Sequence, residues 1–299
     1  VSAATVAARL VRRRRLALPA RWRNPVGITG AAMVAVVCAT ALVGRFLWTT
    51  DPNNPAWTRL QGPSWAHPLG TDDLGRDTLA RIIHGAQVSL EVGAVAVGIS
   101  LGAGLVIGVL SAFYRGLLDL VLMRLVDVVF AFPYLLLGLL VVGLLGPSRL
   151  HAMMAIGIVF TPQFARVIRA SVLEVMGQPF IESARALGAG DLRIIGRHVL
   201  PNIVAPLTVL VTVYFSQSIL AESTLSFLGL GTQPPEAAWG NMLANARGFI
   251  DSDVWMAVFP GLAIMFAVLG FNFLGDGLRD ILDPRLGTVA DAVVAKSKT

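Results

Sequence analysis

What most restricts this chain is the recurrence of apolar runs as long as a bilayer is thick. From Val26 to Trp48 the only charged side chain is Arg45, and a helix needs about 20 consecutive apolar residues to cross the hydrocarbon core. Further runs extend over Val88 to Phe113, Leu120 to Leu145, Leu150 to Phe164, Ile203 to Leu220 and Val254 to Leu274. Inside lipid each segment must satisfy its own backbone N–H and C=O groups, so these runs predict helices. Only 14% of side chains are charged and 55% are hydrophobic, against roughly 25% charged in a soluble chain. The expectation is an all-α polytopic membrane protein of six spans, with no room in 299 residues for a separate soluble catalytic domain. Cys38 is the one cysteine; with no intrachain partner it reads as a packed core thiol.

Charge gives the polarity. Arg9, Arg12, Arg13, Arg14, Arg15, Arg21 and Arg23 precede Asn24-Pro25. Such a cluster next to a first span holds that end in the cytoplasm and meets anionic lipid there; that explains it better than nucleic-acid binding. With six spans and both ends cytoplasmic, all but six of the 24 basic residues fall inside, the exceptions being Arg45, Arg59, Arg76, Arg81, Arg149 and Arg247. The predicted divisions are a basic tail over 1–25, a first span over 26–48 kept as an uncleaved anchor, an external loop over 49–85, a five-helix core over 86–275 and a cytoplasmic tail over 276–299. The core includes an inner segment, 174–201, and an external loop, 222–253.

Within the spans, Gly98-x3-Gly102 and Gly104-x3-Gly108 place small residues on one helical face and let another backbone come close. Pro133 sits in the middle of the third span, where Arg124 and Asp127 lie three apart and can pair. The fourth run is short and interrupted by Pro162-Gln163. Between the fourth and fifth spans, Glu182 to Asn202 reads as a short helix, a glycine break, a second short helix and a proline that leads into span five. Ile181, Ala184 and Leu187 form an apolar face, Gly188 ends the first helix in a positive-φ turn, and Asp191 is placed to cap the second. Small side chains at the tip suit a knob that inserts into a groove of another protein.

This segment resembles the signature of the inner-membrane permease subunits of ATP-binding-cassette importers, Glu-Ala-Ala-x3-Gly-x9-Ile-x-Leu-Pro. Here it runs Glu182, Ser183, Ala184, three residues, Gly188, nine residues, then His198, Val199, Leu200, Pro201; Ser183 and His198 depart from the pattern while the spacing is intact. Three more segments resemble the dipeptide/oligopeptide permeases of the second type, a branch that includes nickel and glutathione permeases. They are His67 to Asp77, Ser226 to Pro235 with Trp239-Gly240-Asn241-Met242, and Gly275 to Asp280 with Asp283-Pro284-Arg285.

The resemblance implies a type I importer permease fold in a bacterial cytoplasmic membrane and transport of short peptides. It also implies a second permease subunit, cytoplasmic ATPases that bind ATP and magnesium, and an extracytoplasmic substrate-binding protein. Coupling to the ATPases would fall to Glu182, Ser183, Ala184, Leu187, Gly188, Ala189 and Asp191, with Arg115 in the preceding inner turn. The chain has no Walker A lysine, since its lysines are Lys296 and Lys298 alone; a phosphate loop needs one. No cofactor site is expected within the chain.

Asp72, Asp73, Arg76 and Trp239 in the external segments either build ordered turns or touch the binding protein; neither role excludes the other. Glu91 and Glu222 stand at external span ends, as solvated end-caps or as substrate contacts, and Glu222 is counted with the candidate substrate pathway. Ser216, Gln217, Ser218 and Asn272 are polar members of spans five and six. They fit a hydrogen-bonding wall for a zwitterionic peptide or bonds between helices. His67, His84, His151 and His198 are scattered with no metal-ligand spacing. Nickel, glutathione or another small solute are the alternative cargoes; an ion-coupled carrier, with midplane carboxylates and broken helices in paired repeats, and an intramembrane enzyme are the other classes.

Overall fold

The computed structural model describes residues 24–282; the arginine-rich tail, Asp283-Pro284-Arg285 and both lysines lie outside the described residues. Among the described residues the elements are helical, apart from an isolated bridge between Thr71 and Asp77. Helix α1 spans Pro25–Leu47, α2 Thr78–Tyr114, α3 Gly116–Phe130, α4 Tyr134–Leu145 and α5 Arg149–Met176. Then come α6 over Pro179–Ala186, α7 over Asp191–Ile194, a π turn over Ile195–Val199, α8 over Leu200–Phe227, α9 over Trp239–Ala246 and α10 over Trp255–Leu282. Five of these segments are long and apolar enough to cross a membrane, and six if α3 and α4 count as one span.

The predicted boundaries move for local reasons. Asp77 caps α2 by accepting from Ala80 N at 2.7 Å, so the last residues assigned to the 49–85 loop are helix. The third span is broken: α3 and α4 meet at 89°, because Pro133 donates no N–H and biases its predecessor away from helix. The fourth span does not stop at Phe164 but runs on through Pro162 to Met176, taking Arg166 and Arg169 into helix. Glu222 to Phe227 likewise belong to α8, and α10 continues to Leu282, past the predicted start of the tail at 276.

Three apolar clusters hold the bundle. Val88, Val92 and Ala96 pack with Ile156, Phe160 and Leu225 toward the end that carries the long loops. Phe113, Phe164, Ile168, Val172 and Ile203 pack at the other end. A third cluster joins α1 and α10 through Val37, Ile264 and Phe271. Of the predicted glycine pairs only one makes a helix contact within the described residues. A Cβ on Gly104 would lie 2.5 Å from Phe164 Cβ, and one on Gly108 2.7 Å from Ala165 O, whereas Gly98 and Gly102 face nothing within 4 Å.

Candidate functional site

The segment from α6 to α8 is a short hairpin whose turn is fixed by its backbone. Gly188 adopts φ +79°, its N–H donates to Arg185 O at 2.9 Å, and Ala189 N–H donates to Ala184 O at 3.0 Å. This pair of bonds is a Schellman motif, which needs a left-handed residue that glycine adopts without a Cβ penalty. Ile181 and Ile194, each 1% exposed, pin the two arms to the cluster around Phe113 and Val175. Leu187 does not join that face as expected: it is 89% exposed, and Leu192 on the other arm is 85% exposed. Ala184 is buried, Ala189 half-buried, and Glu182, Ser183, Gly188 and Asp191 lie at the surface. Asp191 is the first residue of α7 and Gly190 is its cap, which corrects the predicted capping role. Leu192 was missed; its signal was a leucine just beyond an Asp-marked helix start. Beside the tip, Phe180, Ser183, Leu187, Arg193, Arg197 and His198 line a cleft of about 410 Å³.

Arg115 lies in the turn between α2 and α3 with φ 53° and is exposed. Along α3 beyond it lie two ion pairs that the sequence did not disclose. Arg169 holds Asp119 through Nη2 at 2.6 Å, and Arg166 Nη2 donates to Asp127 Oδ1 at 2.7 Å. Asp127 therefore pairs across to α5 rather than with Arg124.

The predicted external contacts are mostly interior. Asp72, Arg76 and Trp239 are buried: Asp72 Oδ2 accepts from Arg76 Nε at 2.7 Å, and Trp239 Nε1 donates to Ile82 O at 3.0 Å. Asp73 sits 3.8 Å from Arg76. Buried groups cannot touch an incoming protein, so Asp72, Arg76 and Trp239 shape the loops, while Asp73 is half-buried. Arg81 ties the two loops together, reaching Pro52 O at 3.1 Å and Pro235 O at 3.5 Å. Arg149 bridges Glu236 at 2.7 Å and Glu91 at 3.3 Å, with His84 3.7 Å from Glu236.

Glu222 is no solvated end-cap. It is 1% exposed, accepts from Ser226 Oγ at 2.6 Å and lies 3.4 Å from Thr232 Oγ1. Ser216 donates to Val213 O and Asn272 Oδ1, each at 2.8 Å, and so joins α8 to α10. Gln217 is half-buried. Gly98-Ile99-Ser100-Leu101-Gly102 has the spacing of a nucleophile elbow, but it lies in mid-helix. Ser100 Oγ there donates to Ala96 O and Gly157 O, so it lacks the strand-to-helix turn that chemistry requires.

The model of the family described as "Binding-protein-dependent transport system inner membrane component" matches residues 104–288, which contain the hairpin, the ion pairs and Glu222. The chain belongs to this family. Curated relatives of this permease match it over nearly their whole length. It is 42% identical to the dipeptide transport system permease protein DppC of Alkalihalophilus pseudofirmus, over 88% of this chain and 87% of that protein. The di/tripeptide permease DppC of Pseudomonas aeruginosa is 41% identical, over 89% and 90%. The glutathione transport system permease protein GsiD of Escherichia coli is 43% identical, over 88% of each. Among solved structures, the permease fold is similar to a chain of the inward-facing MetNI methionine ABC transporter in its CY5 native crystal form. There the TM-score is 0.58 at 19% identity, over 68% of this chain and 96% of that one. The fold is thus that of an ABC importer permease embedded in a membrane.

Proposed function

We propose that this chain is one of two permease subunits of an ATP-driven importer that moves short peptides across a bacterial cytoplasmic membrane, with both termini on the cytoplasmic side. The observation that carries the coupling part is the hairpin tip. Two large aliphatic side chains, Leu187 and Leu192, stand almost fully exposed on a turn whose arms are anchored by Ile181 and Ile194. Burying each would contribute about 1.5–3 kcal/mol, so the tip is made to be covered, and its occupant is the groove of a cytoplasmic ATPase that binds ATP and magnesium. Arg115 belongs to the neighbouring contact at the α2–α3 turn. The positive-inside distribution of arginine supports this polarity, since the hairpin and the inner turns carry the basic residues.

At the other end, the loops braced by Asp72, Arg76, Arg81 and Trp239 form a firm platform for an extracytoplasmic binding protein. The path runs beside Gln217 and the Ser216–Asn272 pair, where amide and hydroxyl groups can replace the hydration of a zwitterionic cargo without a bare charge. The names of the dipeptide, di/tripeptide and glutathione relatives support peptides as the cargo class.

The test is purification of the chain from its host with identification of what accompanies it, followed by uptake of labelled dialanine by the complex in proteoliposomes. A second permease chain and an ATPase should copurify. Gly188→Asp should abolish uptake with membrane insertion intact, because its side chain forces the φ +79° turn to reorganise. Normal uptake by an inserted Gly188→Asp chain would remove the hairpin from coupling.

A further inference from the structure

Where α3 lies across α5, a cleft of about 510 Å³ is lined by Gly116, Asp119, Leu120, Met123, Asp127, Arg166 and Arg169. That size falls within the roughly 300–1,000 Å³ of small-molecule pockets. Its walls carry two cations and two anions, contributed by α3 and α5. The two pairs differ. Arg169 and Asp119 are joined at two points and tied to Ser111 of α2, and their side chains are 33% and 20% exposed. Arg166 and Asp127 share one hydrogen bond of 2.7 Å and are 41% and 47% exposed.

The Arg166 guanidinium lies 3.9 Å from the centroid of the Phe130 ring, which holds it in place independently of Asp127. An exposed ion pair contributes little net stability, so opening this one is easily offset by new partners. A peptide with free termini supplies both partners at once, a carboxylate for Arg166 and an ammonium for Asp127. Leu120 and Met123 provide an adaptable apolar wall for its side chains.

We propose that this cleft is a binding site for zwitterionic short peptides, in which the Arg166–Asp127 pair opens to receive the two termini while the Arg169–Asp119 pair stays closed. The ligand class rests on the peptide-permease reading; the site rests on the cleft and its charges.

The test uses the permease with its partner subunits in nanodiscs, with Met123→Cys introduced in a Cys38→Ser background and labelled by a maleimide. Dialanine should slow the labelling by the factor one plus concentration over Kd, so about tenfold near ten times Kd. N-acetylalanine methylamide, of similar size but without charged termini, should give no protection. Combining Asp127→Asn with Arg166→Gln removes both charges and should remove the protection while leaving the unprotected labelling rate unchanged. Should that double variant fail to assemble, thermal unfolding of the Cys38→Ser parent complex provides the second readout, with a saturable upward shift expected from dialanine alone.

Absence of protection, equal protection by both compounds, or protection that survives the neutral pair would each overturn the site. Uptake of labelled dialanine by the same complex tests the peptide reading separately. Uptake without protection removes the cleft and keeps the permease reading; protection without uptake keeps a zwitterion site and removes the peptide cargo.

Discussion

Arg169 of α5 closes on Asp119 of α3 as a fork, Nε donating to Oδ1 at 2.7 Å and Nη2 to Oδ2 at 2.6 Å. Ser111 of α2 completes the junction by donating to Asp119 while accepting from Arg169 Nε at 3.2 Å. Three helices therefore meet on one carboxylate, beside the turn that holds Arg115. Lysine carries the charge but not the planar fork. Arg169→Ala should lower the stability of the purified complex by about 1 kcal/mol, toward the low end because the pair is partly exposed, and Arg169→Lys by less. Thermal unfolding in detergent measures both; equal losses would show that the fork geometry does not matter.

The glycines of α2 give a second, internally controlled prediction. Gly104→Ala and Gly108→Ala push a methyl group against Phe164 Cβ and Ala165 O of the facing helix and should each cost about 1–3 kcal/mol through overpacking. Gly98→Ala and Gly102→Ala meet open space and should stay within about 1 kcal/mol of the parent, with helix propensity favouring alanine. If a second permease chain covers that open face, the Gly98 variant should weaken copurification of that chain while leaving the thermal transition unchanged.

Those glycines also mark how far the sequence could be read. Two identical spacings six residues apart announce a close approach, but only the fold decides which of them meets α5. The apolar runs and the Gly188 turn were legible because they depend on local chemistry: length against bilayer thickness, and a backbone angle that favours glycine. Asp127 shows the limit. Its nearest basic neighbour in sequence is Arg124, yet its partner is Arg166 on another helix, a choice made by how α3 crosses α5 after a bend of 89°. Hydropathy likewise ended the fourth span at the first arginine, because it counts charge without knowing that the charge is paired. Glu222 looked like an end-cap for the same reason: its neighbour Thr232 arrives through a loop that folds back over it.

That folding back is testable. Glu222 Oε1 accepts from Ser226 in its own helix and lies near Thr232 in the loop, and Asn241 of α9 donates to Thr232 O at 3.3 Å. Glu222→Ala leaves buried hydroxyls without their acceptor, so it should lower stability by about 1–3 kcal/mol and speed protease cleavage between α8 and α9. Glu222→Gln keeps a side-chain oxygen in reach of Ser226 and should retain most of the stability. A Glu222→Ala complex as stable as the parent but with an altered KM for labelled dialanine would return Glu222 to the transport path.

The hairpin tip separates stability from assembly most cleanly. Leu187 and Leu192 are 89% and 85% exposed, so replacing both with serine removes almost no packing within this chain and should change its own stability by less than about 0.5 kcal/mol. On the proposed coupling the same side chains lie in the ATPase groove, where losing two buried leucines would cost about 3–6 kcal/mol at about 1.5–3 each. The double variant should therefore insert and pair with the second permease chain while losing most of its copurifying ATPase and its dialanine uptake. Ile181→Ser makes the opposite case: a hydroxyl placed at a site 1% exposed loosens the arm itself, so stability and ATPase binding should fall together. If Leu187→Ser with Leu192→Ser binds the ATPase as well as the parent, the apolar tip is not the docking element, and the contact must lie with Glu182, Asp191 and the basic residues around the cleft behind it.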